Sequence, residues 1–569
     1  MTVSLAATAT AGASERASLV TVDVGRDRTV LPRLLEAGVD VADGVRADGR
    51  ILAVVPAGGV DRLRATGLRV RVVRADVLAA DARDRLADRG YRQRMGKAGS
   101  PLPSGRTTYR TLADIERELA ALADQHPERV RRFALALRSS EGRAIQALEV
   151  TDRIAAADHA RKPVLLVDGV HHAREWPTAE ITTEFATELV RAQDKRIQTL
   201  LRRVRVVIVP VVNPDGYVNS RAAEGLDFAA TNPDTPTNIP LYGLPPSGGI
   251  LMYRRKTCSG DLPRGTPCEL QFGVDPNRNY AYHWGGDGAS SLPFEQDFRG
   301  GAPFSEPEVE SMRRLSASVN AIGRVSLHTV AAKVLIPPSA ADGKLPSDDE
   351  ARLKAWGTAL GEPVGYGVFA GPGLGYDTAG DAADFAYYAH HQLSAIVELG
   401  PAGGNFHGPY EESVVDQYFG RGPTAGRGIR EGLLRTAGIV ADPAQQGRLL
   451  VRTARPGTVY EVERSASVRT GAVCGFAFGL PGLLGYNTPL QCVGAGEVAT
   501  VREDVGMRMT IGRARRATWS LPPSTPPEEA LAGRTGSYAV LCTPPGGERR
   551  KLRDVVLRRG ERVRLPACA

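Results

Sequence analysis

The chain has 569 residues, too many for one hydrophobic core, so two to four domains are expected. Its 42% hydrophobic and 24% charged content is that of a globular protein in water, and no apolar run approaches the ~20 residues that span a bilayer as a helix. The formal net charge of +8 is scattered, with acids between the bases and no alternation with aromatics, which argues against nucleic acid as a partner and for a solvated basic surface.

Residues 1–17, "MTVSLAATATAGASERA", carry A-x-A triplets like the end of a signal peptide but lack a basic start and an apolar core, and are read as a remnant of one. Residues 18–90 alternate Val-rich strands ("LVTVDV", "ILAVVP", "RVRVV") with helical stretches, a small α+β unit. Residues 91–108 are rich in Gly, Pro, Ser and bases, a linker open to a trypsin-like protease. From Tyr109 an amphipathic helix, "TLADIERELAALADQHP", precedes strands alternating with helices: "AIQALEV", "PVLLVDG", "RVRVVIVPVV", "GRVSLH" and "LSAIVELG". Nearly continuous apolar strands of this kind predict, over residues 109–435, an α/β fold: a mixed, largely parallel sheet with helices on both faces. Sites in such sheets gather at the carboxyl ends of the strands. Residues 445–569 read as an all-β, sandwich-like module, with short strands between Gly/Pro turns.

The six cysteines fall in local pairs, and no C-x-x-C occurs, so disulfides are favoured over metal. The expected pairing is Cys258–Cys268, Cys474–Cys492 and Cys542–Cys568, which implies an oxidising, extracellular setting.

The chemistry concentrates in "GVHHAREW" (169–176), just after an apolar strand. His172 and Glu175, at i and i+3, share one side of a turn, and an imidazole with a carboxylate suits zinc, which in catalytic sites takes three protein ligands. His328 closes the strand "RVSLH" and could be the third.

Taken in order, "SSEGRAI", "GVHHAREW", "VPVVNPDGY", "YRRKT", "GVDPNRNY", "FRGGAPFSEPEVES", "SLHT" and "AIVELG" resemble the zinc metallocarboxypeptidases of the carboxypeptidase A type, and bacterial carboxypeptidase T in particular, over roughly residues 104–430. The resemblance implies one zinc held by His172, Glu175 and His328, with Glu398 as general base and Arg255, rather than its neighbour Arg254, stabilising the oxyanion. It further implies that Asn277 and Arg278 grip the substrate's terminal carboxylate, that Arg174 contacts substrate upstream, and that Asp275 orients a zinc-bound histidine. Tyr376, which lies 22 residues before Glu398 (398 − 376), matches the tyrosine that closes over substrate. Ala383 matches the floor of the side-chain pocket and Asp381 an acid on its wall, which implies hydrophobic and also basic C-terminal residues as substrates. Val330 departs from the family's tyrosine two residues after the third ligand.

The function implied is a secreted, zinc-dependent carboxypeptidase acting on peptides and proteins with a free C-terminal carboxylate. The N-terminal unit would be a pro-segment, released by an activating protease at 91–108, or else a permanent accessory domain. A zinc peptidase of cell-wall peptides, or an inactive wall-binding protein, are the alternatives.

Overall fold

The computed structural model describes residues 18–25, 34, 40–41, 50–55, 58–156, 159–222, 254–258, 273–286, 288–291, 296–340, 343–370, 378–400, 405–451, 454–472, 498–513 and 515–568. The N-terminal strands β1 (Ser18–Asp23), β2 (Asp40–Val41), β3 (Arg50–Val55) and β4 (Arg69–Arg74) form an antiparallel sheet in the order β2-β3-β1-β4. The helix Gly59–Ala65 lies between β3 and β4, and Val20, Val22, Ile51, Ala53, Val55 and Leu63 fill the small core.

The linker differs from expectation. Residues 91–98 are not loose but complete a helix, Val77–Ala98, because Tyr91 and Met95 pack on the core of the main body and Tyr91 lies 6.1 Å from the ring of Tyr410. The connection from Gly99 onward is also tied down: Ser104 N and Oγ donate to Glu184, and Arg110, fully buried, is ion-paired with Glu180 and Glu184. Burying a cation against two carboxylates on one helix face is tolerated only because each charge is paired.

The main body is an eight-stranded sheet, with β5 (Val130–Arg138), β6 (Ala144–Val150), β7 (Val164–Asp168), β8 (Arg205–Val209), β9 (Ala321–Thr329), β10 (Lys333–Ile336), β11 (Gly367–Ala370) and β12 (Leu393–Leu399) in the order β11-β10-β12-β9-β7-β8-β6-β5. The four central strands β12, β9, β7 and β8 are parallel; β10, β6 and β5 run against a neighbour. β7, β8 and β9 are buried along their whole length, the signature of a sheet covered on both faces. β5, at an edge, keeps exposed positions.

The C-terminal strands form two sheets. One is β16-β13-β19, from β13 (Gly447–Val451), β16 (Ala517–Leu521) and β19 (Arg562–Arg564). The other is β15-β14-β17-β18, from β14 (Val459–Ala472), β15 (Val498–Thr510), β17 (Tyr538–Thr543) and β18 (Arg550–Val555). Leu449 and Trp519 of the first share a core with Tyr460, Met507 and Val540 of the second, which makes the pair a sandwich. Cys542 and Cys568 are disulfide-bonded, and so is Cys258; Cys268, Cys474 and Cys492 lie outside the described residues.

Candidate active site

β7 ends at Asp168, and the chain turns through Val170 before the helix Trp176–Arg191 begins. Val170 has φ 51°, costly for a β-branched residue, and is held there by its N–H on Thr178 Oγ1 (2.9 Å) and its carbonyl accepting from Asn213 N (3.0 Å). That turn aims both histidines at the carboxyl ends of the strands.

Three buried donors converge there. His172 Nδ1 lies 2.8 Å from Glu175 Oε1, His328 Nδ1 3.1 Å from Glu175 Oε2, and the two Nδ1 atoms 3.2 Å from each other. Among the described residues this is the single group of three able to hold a metal. Bond lengths of about 2.0–2.2 Å in a tetrahedral zinc site put neighbouring ligand atoms about 3.3–3.6 Å apart, so a small outward shift of these donors would admit the ion. Two imidazole nitrogens and a carboxylate oxygen converging on one buried point are the donor types that zinc takes, so the set fits a bound metal. Burial alone would raise the Glu175 carboxyl, but His172 and His328 outweigh it and hold it low. Burial would likewise lower His328, yet Glu175 draws a proton to it: the site calls for positive charge. His172 is kept neutral by burial and by Arg255, as a ligand must be.

Asp275 joins the metal group to its surroundings. Its Oδ1 lies 3.1 Å from His172 Nε2, which leaves Nδ1 its lone pair, while Oδ2 accepts from Arg255 Nε and Nη2 at 2.9 and 2.8 Å. Burial would raise this carboxyl, but Arg255, His172 and Arg278 hold it well below the usual range. Arg254 instead turns inward and donates to the carbonyls of Lys256 and Thr257.

Asp275 also caps the turn Pro276–Arg278 through Asn277 N (2.8 Å). Asn277 Oδ1 accepts from Ala382 N at 2.9 Å; Arg278 donates Nε to Gly288 O at 2.7 Å and Nη1 to Asn277 O at 2.9 Å. Asp381 differs from expectation. Its Oδ1 caps the helix Ala382–His390 by accepting from Ala383 N and Asp384 N, and its Oδ2 accepts from Thr378 Oγ1. A fully buried carboxylate committed to three donors is a structural cap, not a free acid awaiting a basic side chain. Ala383 is buried at the start of that helix. Tyr376 lies outside the described residues.

Glu398, half-buried at the end of β12, sits beside His328 in the parallel ladder. On its other side the antiparallel ladder places Lys333, a nearly buried cation that motif reading missed, although a lysine opening the apolar run "KVLIPP" was a usable signal. His171 is otherwise engaged: Nε2 lies 2.9 Å from Tyr280 Oη, and Nδ1 3.3 Å from both Asp168 and Ser326. Burial lowers it to about 3 despite Asp168, so it stays neutral.

Arg174 is buried with its guanidinium 4.0 Å from the Phe406 ring, and its carbonyl meets His407 Nδ1 at 3.0 Å. His407 stacks on Trp176 at 3.9 Å. Burial lowers it to about 3, with Arg221, Arg174 and Arg74 adding and the bond to the Arg174 backbone opposing. A histidine lowered from 6.5 favours the folded state fully above 6.5 and loses that contribution as pH falls toward about 3. The urea midpoint is therefore expected to decline over that window, and His407→Phe, which keeps the stack, to flatten the decline; an unchanged slope would contradict it.

Comparison with known proteins bears on this arrangement. A family profile described as "Zinc carboxypeptidase" matches residues 115–415. A zinc carboxypeptidase of Simulium vittatum is 32% identical over 203 residues, 36% of this chain and 54% of the relative. Carboxypeptidase A2 of Rattus norvegicus is 30% identical over 300 residues, 51% of this chain and 62% of the relative. The chain thus spans a little over half the length of these curated relatives. The crystal structure of carboxypeptidase A from Helicoverpa armigera superposes with a TM-score of 0.59 at 21% identity, over 75% of this chain and 98% of that one, which shows the shared fold.

Proposed function

The chain belongs to the zinc carboxypeptidase family, and on that footing we propose that it hydrolyses the C-terminal peptide bond of peptides and proteins, one residue at a time. The observation that carries this reading is the His172–Glu175–His328 cluster at the carboxyl ends of the central strands, with Glu398 beside it and Asn277–Arg278 joined to it through Asp275. His172, Glu175 and His328 would hold the zinc, which would supply Lewis acidity at the scissile carbonyl and lower the pKa of the attacking water. Glu398 takes the proton from the attacking water and passes it to the leaving amine. Arg255, locked from behind by both bonds to Asp275, presents its positive charge to the developing oxyanion. Asn277 and Arg278 receive the terminal carboxylate.

Ala383 as pocket floor supports a hydrophobic C-terminal residue, and the commitment of Asp381 to its helix weakens the reading that basic residues are taken equally. Within the family, the doubled histidine and "HHARE" support a place near bacterial carboxypeptidase T. The disulfides support secretion, and among the described residues no helix is long and apolar enough to cross a membrane.

The N-terminal unit acts as an inhibitory pro-segment. It lies against residues 405–411, the segment that backs Arg174: Tyr410 N donates to Asp88, Arg94 pairs with Glu411, and the Asp84 carboxyl accepts from the Asn405 side chain. Because Arg92 and Arg94 lie within the helix Val77–Ala98, an activating protease would cut in the partly exposed Gly/Pro stretch that follows it. Equal activity of cut and uncut chains would reject this part.

The test is zinc-dependent release of single residues from N-blocked dipeptides by the cut chain. Arg278→Ala is expected to raise KM about 10- to 100-fold with kcat little changed, the signature of lost binding made equally in ground and transition states. Equal cleavage of C-terminally amidated peptides would overturn the exopeptidase reading.

A further inference from the structure

The C-terminal module does more than pack beside the catalytic body. β14 is 14 residues long, and its far end lies on the loop that follows Arg278. There His283 N donates to Arg469 O at 3.0 Å, Gly471 N donates to Trp284 O at 2.9 Å, and Arg469 Nη2 reaches His283 Nε2 at 2.8 Å. The fit is close enough to require glycine: a Cβ on Gly471 would fall 2.4 Å from Gly286 N and 2.7 Å from Gly286 Cα. His283 itself is held at φ 54°.

This junction lies two residues along the chain from the contact to the proposed carboxylate grip. Two residues past Gly286, the Gly288 carbonyl accepts Arg278 Nε at 2.7 Å. On the loop's other side, Gly380 N donates to Tyr282 O and Tyr280 N to Gly380 O, at 3.0 and 2.9 Å. Gly380 directly precedes Asp381, which caps the helix bearing Ala383. Tyr282 also stacks on Tyr388 of that helix, 3.8 Å between rings. The β14 corner, residues 280–286 and the start of the pocket helix are thus joined by hydrogen bonds, and Gly288, two residues on, holds Arg278.

We propose that the Arg469–Gly471 corner of the C-terminal module is a positioning element for substrate binding: it fixes residues 280–286, and with them the approach of the chain to Gly288, whose carbonyl holds Arg278 in the orientation that meets the substrate's terminal carboxylate. The proposal rests on the reading of Arg278 as that grip. Neither Arg469 nor Gly471 touches substrate; they act through His283, Trp284 and Gly286. A planar guanidinium binds a carboxylate with two parallel bonds only when its plane is set in advance, so small displacements of the loop fall on KM.

The experiment uses the full-length, linker-cleaved, zinc-loaded chain and an N-blocked dipeptide ending in a free carboxylate. Gly471→Ala, which pushes a methyl group into the Gly286 backbone, is expected to raise KM about fivefold or more with kcat within about twofold. Arg469→Ala, which removes a half-exposed side chain and serves if the glycine variant does not fold, is expected to raise KM about threefold, and Arg469→Lys to restore part of it. Combined with Arg278→Ala, neither change adds a further increase, because each acts through Arg278. Unchanged KM with only a lower unfolding midpoint, or effects additive with Arg278→Ala, overturns the proposal and leaves the grip standing. An unchanged KM in Arg278→Ala alone overturns the grip and this proposal together.

Discussion

Glu398→Gln is expected to lower kcat about 10²- to 10⁴-fold while the zinc stays bound. The amide keeps the size of the side chain and its place at the end of β12 beside His328, but it cannot take a proton. Glu398 lies outside the His172–Glu175–His328 group, so the metal affinity has no reason to change. Steady-state kcat, read with metal content by atomic absorption, separates the two possibilities. A loss below tenfold would remove Glu398 as general base, and loss of zinc would make it a ligand.

The second large effect is on stability. Arg324 lies in β9 with 1% of its surface exposed. It donates Nε to Asp168 Oδ2 at 2.8 Å and Nη2 to Tyr280 Oη at 3.2 Å, with its guanidinium 5.4 Å from the Tyr280 ring. Asp168 Oδ1 accepts from Ser326 Oγ at 2.7 Å. Burial would raise the Asp168 carboxyl, but Arg324 and then His171 hold it below its ordinary value. Arg324→Met leaves a carboxylate stranded under the site and is expected to cost about 3–5 kcal/mol, because breaking a buried pair abandons the other charge. Arg324→Met with Asp168→Asn should recover part of that loss. The sign with pH follows from the lowered carboxyl: its contribution is present above its unfolded value of 3.8 and is lost as pH falls below it, so the deficit is largest near neutrality. Urea unfolding followed at the catalytic body, not as one global transition, reads this, and a deficit under about 1 kcal/mol would contradict it.

Much of the centre was legible in the residues. β7, β8, β9 and β12 were visible because strands covered on both faces must be continuously apolar, and a histidine or glutamate closing such a run is expensive unless it is used. Spacing marked His172 and Glu175 as a pair, while the resemblance to the zinc carboxypeptidases, not strand burial, supplied His328 as third ligand and Glu398 as base; the fold brings His172, Glu175 and His328 together, with Glu398 next to His328 in the ladder. Spacing alone also separated His172 from His171, and the bonds of His171 to Tyr280, Asp168 and Ser326 account for its exclusion.

The rest depended on pairing between distant segments. β5, with its mixed burial, and the four-residue strands β10 and β11 carry little periodic signal, and Lys333 stands beside Glu398 only through the register of one antiparallel ladder. Asp381 read as a pocket acid because its letter allowed it; that its oxygens are spent on a helix N-terminus is a matter of backbone direction. Helix formation through Ala98 was hidden by Gly90 and Gly96 and is sustained by contacts of Tyr91 and Met95 with the main body. The sequence by itself determined which strands would be buried, since burial is a local cost, and its ordered motifs marked the candidate chemistry through their resemblance to a known family. The tertiary structure alone decided what each polar group spends its bonds on, down to Gly471 meeting Gly286, because a hydrogen bond or a close backbone approach between remote segments exists only once the chain has folded.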